Sequence, residues 1–368
     1  MTATVLAARN RWVAVEDGLV VDEGFERPPA GAVALGDVWL LSGFVDLQCN
    51  GVGDVDFMTA ELDGFRAAGA ALVRTGVTSY LPTLVSAPLD RYGPALDRVA
   101  DAQADAVGSG LPRIEGVHLE GPFLGGAPGA HPPELLRPMD VEWLAALLDA
   151  HPGLVRLVTL APEADPGLAG IRMLRDRGVA VALGHSRCSY DEALAAAAAG
   201  ATLVTHVFNG MGPLHHRAPG LVNAALDPGT GLTPTLIADL VHLHPSVVRL
   251  VMAVTSAILV TDRVATGVDS FGQHVGERDG AAFLSDGTLT GSTLTMDRAV
   301  RNAVREGVEP ETAFDAASGT PADELDLDVY ASSTEGGRAD LVALDRETLE
   351  VEGVWCSGQR AYTRRREP

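Results

Sequence analysis

VALGHSRCSYDEALAAAAAGATLVTHVFNG, residues 181–210, holds one full unit of the pattern that decides the fold. The apolar run Ala180–His185 reads as a buried strand ending in a histidine. The alanine-rich stretch Tyr190–Ala199 reads as a helix, and Ala201–Asn209 as the next strand, again carrying a histidine near its end. Working outward, the same alternation recurs. Strands are predicted at Gly43–Asn50, Thr78–Leu84, Ile114–Glu120 and Val155–Ala161 before the quoted unit, and at Leu232–His242 and Ala257–Asp262 after it. Helical stretches such as Ala60–Thr75 and Val141–Ala150 lie between them. Eight strands with intervening helices predict an α/β fold, a (β/α)8 TIM-like barrel.

The two ends of the chain have a different texture. WVAVEDGLVVDEG near the start and ADLVALDRETLEVEGVWCSGQRAYT near the end read as short β-segments with turns. Residues 1–41 and 326–368 are therefore expected to pair into a small β-sandwich beside a barrel of residues 42–325. The terminal RRREP reads as a frayed end. GGAPGAHPPE, Gly125–Glu134, is rich in Gly and Pro and too polar for a core, which makes it a candidate active-site loop.

Composition narrows the function. The chain has 368 residues, a net charge of −22 and 46% apolar residues. An acidic surface of this kind repels nucleic acid and anionic membranes, so neither is an expected partner. No stretch reaches the roughly 18 apolar residues of a membrane span. Val247–Val260 comes nearest, but it carries Arg249, Thr255 and Ser256 and reads as a helix end followed by a strand. The first residues show no secretion signal. Cys49, Cys188 and Cys356 are widely spaced and fit a reducing cytoplasm. All 27 basic residues are arginine. The absence of lysine excludes Schiff-base aldolases, pyridoxal phosphate enzymes, Walker-A ATPases and metal pairs bridged by a carboxylated lysine.

Ligand-type residues end successive strands: Glu120 in GVHLEGPF, His185 in VALGHS, His206 in LVTHVFNG, His242 in IADLVHL and Asp262 in ILVTD. Barrel strands converge at their C-terminal ends, so groups far apart in sequence can meet there. Singly, each has a plainer reading: a hydrogen-bonded core histidine, a turn at Glu120-Gly121-Pro122, or a helix cap at Asp262. Together they suit metal-assisted hydrolysis. One carboxylate and two imidazoles (Glu120, His185, His206) make a three-ligand site with an open position, and Asp262 fits a proton carrier. Arg217, in the loop FNGMGPLHHRAPG, has the planar fork that binds phosphate, or is an ordinary surface arginine.

The segments SGFVDLQCNG, GVHLEGPF, GAHPPE, LGHSRCSYDEA, THVFNGMGPLHHRAPG, LIADLVHLHP, LVTD, LTGSTLTMDRAVRN and GGRADLVALD span nearly the whole chain. Their combination resembles the N-acetylglucosamine-6-phosphate deacetylases of the amidohydrolase superfamily. The resemblance implies that Glu120, His185 and His206 bind the metal and that Asp262 is the general base and acid. It implies that His131 helps polarise the acetyl carbonyl, and that Asn209, the backbone at Gly210, Arg217 and His242 handle the sugar phosphate. It further implies a homodimer in which Arg217 reaches the partner's active site.

Three positions depart from that pattern. Many amidohydrolases carry a His-x-His pair on the first strand for a second metal; here the residues are Gln48 and Asn50, which alternation keeps on one face. A subset with this amide pair works with one metal. One divalent ion is therefore expected, zinc first, with iron and manganese also suited to a His2Glu set. Arg263 stands where small residues are usual, and Leu240 where glycine is usual. These changes leave room for another N-acetylated amino sugar as substrate. A non-catalytic sugar-binding barrel is the third reading, and the intact ligand set speaks against it.

Overall fold

The computed structural model describes residues 3–268, 272–278, 280–327 and 336–364. Eight parallel strands form the barrel: β1 (Phe44–Cys49), β2 (Val77–Val85), β3 (Val117–Glu120), β4 (Val155–Leu160), β5 (Ala180–Leu183), β6 (Leu203–Val204), β7 (Thr233–Leu236) and β8 (Ile258–Leu259). Neighbours in sequence are neighbours in space from β1 to β8. The ring closes where the Asp262 N–H donates to Gln48 O at 2.9 Å and the Asn50 N–H donates to Arg263 O at 2.7 Å. The strands are almost wholly buried, as expected when helices cover the outer face of a parallel sheet.

The quoted unit shows how local chemistry builds this. Helix Tyr190–Ala199 starts at Ser189, whose hydroxyl accepts the Glu192 N–H while the Glu192 carboxylate accepts the Ser189 N–H. Alanine carries the helix, and Gly200 ends it at φ 131°. Helix Val141–Ala150 also has its expected bounds, capped by Asp140. The stretch 247–260 is the end of helix Pro245–Val254 followed by β8.

The chain ends form two four-stranded sheets. One holds Thr4–Ala7, Trp12–Glu16, Leu19–Gly24 and Val33–Ala34; the other holds Val38–Ser42, Leu341–Asp345, Val351–Cys356 and Gln359–Thr363. Leu6, Val13, Val20, Leu40, Leu341 and Trp355 belong to one apolar cluster that draws on both sheets, which makes the pair a sandwich. Of RRREP only Arg364 lies within the described residues, and it pairs with Glu350.

Two differences from the sequence reading matter for the site. β6 and β7 are far shorter than Ala201–Asn209 and Leu232–His242. Their chains leave the ladder through left-handed residues, His206 and Phe208 after β6 and Leu240 after β7, and so carry polar side chains onto the barrel mouth. After β8 the chain makes a four-stranded antiparallel sheet of Gly267–Val268, His274–Arg278, Ala281–Leu284 and Leu289–Ser292. It is anchored to the barrel by Ser292 N–H to Asp262 O at 2.7 Å and Val264 N–H to Ser292 O at 3.0 Å. Sequence reading gave no strands there.

Candidate active site

Glu120 is the last residue of β3, while His185 and His206 each lie two residues beyond β5 and β6. All three are buried. Glu120 Oε1 lies 3.2 Å from His185 Nε2 and 3.0 Å from His206 Nε2, and the two Nε2 atoms are 3.1 Å apart. Ligand atoms bound at zinc-type distances with near-tetrahedral angles sit about 3.3 Å apart. The triangle therefore has the size of a metal's ligand face.

The protonation pattern points the same way. His185 Nδ1 lies 3.1 Å from Ala127 O. A carbonyl only accepts, so Nδ1 carries a proton and Nε2 is the ring atom turned to Glu120, as in a histidine that ligates through Nε2. Groups crowded in this way in a buried space need positive charge among them, as protons or as a cation. Burial by itself would raise the Glu120 carboxyl, but the contacts of His185 and His206 outweigh it and hold it well below the usual range. Burial likewise opposes charge on His206, and Glu120 more than reverses this. The environment favours positive charge at the centre of the triangle.

Small residues make room for His185. A Cβ on Gly210, at φ 59°, would lie 2.8 Å from His185 Nδ1. His185, His206 and Asp262 all take positive φ, at 48°, 30° and 46°, a conformation that costs L-residues energy. Strain of this kind on three converging polar residues is the mark of a site held in place by its surroundings.

Asp262 follows β8 and is tied down by the two amides of the first strand. Asn50 Nδ2 donates to its Oδ1 at 2.7 Å and Gln48 Nε2 at 3.1 Å. Gln48 Nε2 also donates to Glu120 Oε1 at 3.0 Å, so one NH2 group bridges the two carboxylates. Neutral donors here satisfy the acids and leave little for a second metal to bind. Burial first, then the charge of Glu120, push the Asp262 carboxyl up to about 6.

These groups open into a cavity of about 290 Å³. No family model matches the chain. The N-acetylgalactosamine-6-phosphate deacetylase of Escherichia coli O157:H7 is 37% identical over 358 residues, covering 94% of this chain and 93% of that protein. The N-acetylglucosamine-6-phosphate deacetylase of Bacillus subtilis (strain 168) is 34% identical over 372 residues, covering 96% and 93%. An aspartate-to-alanine mutant of the Mycobacterium smegmatis N-acetylglucosamine-6-phosphate deacetylase, solved with that sugar phosphate, superposes with a TM-score of 0.89 at 33% identity, covering 99% of this chain and all of the other.

The chain belongs to the N-acetylglucosamine-6-phosphate deacetylase family, in the amidohydrolase superfamily. Family membership makes it a hydrolase and implies a divalent metal, and among the described residues Glu120, His185 and His206 form the group able to hold one. His131, Asn209, Gly210, His242 and Asp262 line the same cavity. Arg217 does not. It is exposed, on a loop where His215 Nδ1 accepts the N–H groups of Arg217 and Ala218.

Several supporting residues escaped the sequence reading. Ser86 Oγ lies 3.0 Å from His131 Nδ1 and orients that ring. Burial first, then the neighbouring His185, push His131 down to about 3, so it is neutral. Asp239 Oδ2 lies 2.7 Å from His242 Nδ1, and its Oδ1 accepts the Val241 and His242 N–H groups. Leu240, inside that turn, has φ 68°, which is the physical reason a glycine suits the position. Asp239 was readable as a carboxylate three residues before His242; Ser86 carried no such signal. Arg263 contributes through its backbone, which pairs with Asn50 and Gly51 and closes the barrel.

Proposed function

We propose that this protein hydrolyses the acetamide of N-acetyl-D-glucosamine 6-phosphate to D-glucosamine 6-phosphate and acetate. The carrying observation is the buried triangle of Glu120, His185 and His206 with Asp262 beside it in one cavity. Glu120, His185 and His206 would hold one divalent ion, zinc by preference, with iron or manganese decided by elemental analysis. When bound, the ion polarises the acetyl carbonyl and makes a water molecule more acidic. Asp262 takes a proton from that water and passes it to the leaving nitrogen. Neutral His131, held by Ser86, donates to the carbonyl oxygen as it gains charge. Asn209, the Gly210 backbone and His242 receive the sugar phosphate.

A phosphate needs cations, and the described lining residues include no arginine. Arg217 is exposed with no side-chain partner among the described residues. Both facts support the proposal that the protein is a homodimer in which Arg217 completes the partner's site. The division into 1–41 with 326–368 and 42–325 is part of the same reading; the adjacent sandwich strand Val38–Ser42 and β1 support a boundary near 42. A cytoplasmic location fits three buried free cysteines. Among the described residues no helix is long and apolar enough to cross a membrane.

The galactosamine relative favours a second reading, in which the C4 epimer is the substrate. Acetate release from both epimers, each with and without the 6-phosphate, decides between them. The first reading expects the highest kcat/KM for the phosphorylated gluco sugar. No acetate from any of the four, by protein of measured metal content, would leave the non-catalytic barrel standing.

A further inference from the structure

Asp46, on β1, is 0% exposed, and none of its hydrogen-bond partners carries charge. A carboxylate buried among neutral groups is costly, and an apolar residue would sit in a barrel interior at less expense. Its bonds point to a reason. Oδ2 accepts the Thr261 hydroxyl at 2.6 Å, and Oδ1 accepts the Thr261 N–H at 3.1 Å and the Gln48 N–H at 3.4 Å. Thr261 immediately precedes Asp262. Its hydroxyl oxygen accepts the Arg263 N–H at 3.2 Å, so one atom reaches across Asp262 to the residue behind it. A side chain that accepts an N–H two residues on bends the backbone into a turn in place of an extended strand. Inside this turn Asp262 takes φ 46°. Ser292 Oγ donates to Thr261 O at 2.5 Å and fixes the other side of the same residue.

We propose that Thr261, its hydroxyl aimed by Asp46, is the positioning residue that sets the left-handed turn at Asp262 and so places the proton-carrying carboxylate. This rests on the deacetylase reading above. A hydroxyl has one proton to give. Asp46 takes it at 2.6 Å, nearer than Gln48 O at 3.3 Å, and the lone pairs are left for the Arg263 N–H. An L-residue does not settle in the left-handed region unaided, so the turn has to be held by its neighbours. The amides of Asn50 and Gln48 bind the Asp262 carboxylate where it lies, but they do not bend its backbone. Asp262 has to take a proton from water and then give it to the leaving nitrogen, so it must stay within hydrogen-bond reach of both. Thr261 is 1% exposed and does not line the cavity, so it touches neither substrate nor water there and acts only through Asp262.

The test reads kcat and KM separately, per folded molecule and at measured metal content, on the acetylated 6-phosphate sugar that wild type hydrolyses fastest. Thr261→Val keeps the shape of the side chain and removes the hydroxyl. Its kcat is expected to fall about 10- to 100-fold, the scale of a small misplacement of a reacting group, while KM and the bound ion stay as in wild type. Thr261→Ser puts the hydroxyl back and is expected to recover most of the rate. Thr261→Ala sets no second methyl against the Asp46 carboxylate, so it replaces Thr261→Val should that variant not fold, with the same expected loss. Asp46→Ala should show the same split with a smaller loss, because Gln48 O remains to take the hydroxyl proton. An unchanged kcat in Thr261→Val or Thr261→Ala, with only stability lowered, would overturn the proposal. So would a rise in KM at constant kcat, or a Thr261→Ser variant as slow as the others. An unchanged kcat in Asp46→Ala would overturn the part given to Asp46. Wild-type protein that releases no acetate is a different result, because it removes the deacetylase reading itself.

Discussion

Two buried polar clusters sit at opposite ends of the barrel, and they differ in what completes them. At the N-terminal end of the strands, Arg338 donates from Nε to Asp340 at 2.5 Å and from Nη2 to Ser79 at 2.8 Å and to Glu115. Asp340 also accepts the Ser357 N–H at 2.6 Å. One guanidinium thus joins the C-terminal segment to the barrel, and the protein supplies both signs of charge. At the mouth, Glu120 and Asp262 meet two imidazoles and two amides with no arginine among the described lining residues. Asn50 Oδ1 and His206 Nδ1 are buried and have no hydrogen-bond partner among the described residues. At the base the protein balances its own charges, whereas the mouth gathers acids, imidazoles and amides around a cavity.

The strongest test of this contrast removes a ligand. His185→Ala or His206→Ala should lose most of the metal and nearly all activity together, read by elemental analysis and acetate release. About one ion per chain is expected in wild type, and two equally tight ions would contradict the part given to Gln48 and Asn50. Next, Asp262→Asn should keep the ion while turnover falls about 10² to 10⁴-fold. Turnover near that of wild type would make Asp262 a structural residue like Asp340.

The base should behave in the opposite way. Arg338→Met takes from Asp340 and Glu115 the guanidinium they share, and breaking a buried pair from one side costs about 3–5 kcal/mol. Denaturant melts should show that loss, with activity per folded molecule unchanged. A fall in activity without a fall in stability would erase the distinction between the two ends.

Arg217→Ala should cost about 1.5–3 kcal/mol on the phosphorylated sugar alone. Mixing it with Asp262→Asn protein tests the partner's role. In a mixed dimer the first subunit keeps Asp262 and gains its neighbour's Arg217. Activity should then recover toward half of wild type, after correction for the mixed fraction. No recovery in verified mixed dimers would confine Arg217 to its own chain.

The smallest effect concerns strain beside the mouth. Leu240→Gly should be more stable than Leu240→Ala, by about 1 kcal/mol, because alanine loses the side-chain packing and keeps the left-handed penalty. Thermal melts of the two variants decide this.

Much of this was legible in residue order. Alternating apolar runs and helical stretches set the barrel, because a parallel strand must be buried on both faces and then crossed over by a helix. Glu120, His185, His206 and Asp262 were readable because each ends such a run. Ser86 and the sheet between Gly267 and Ser292 were not, since a lone serine and short mixed strands carry no periodic signal.

The sequence by itself determined the fold, the ligand chemistry and the amide pair at Gln48 and Asn50, all of which are properties of residue type and local order. Only the tertiary structure decided that one NH2 group of Gln48 bridges Glu120 and Asp262, and that Arg217 stands outside its own cavity. Such facts depend on strands more than 200 residues apart, Gln48 and Asp262 among them, being closed into one ring. No local pattern encodes where in space that closure sets an unpaired oxygen.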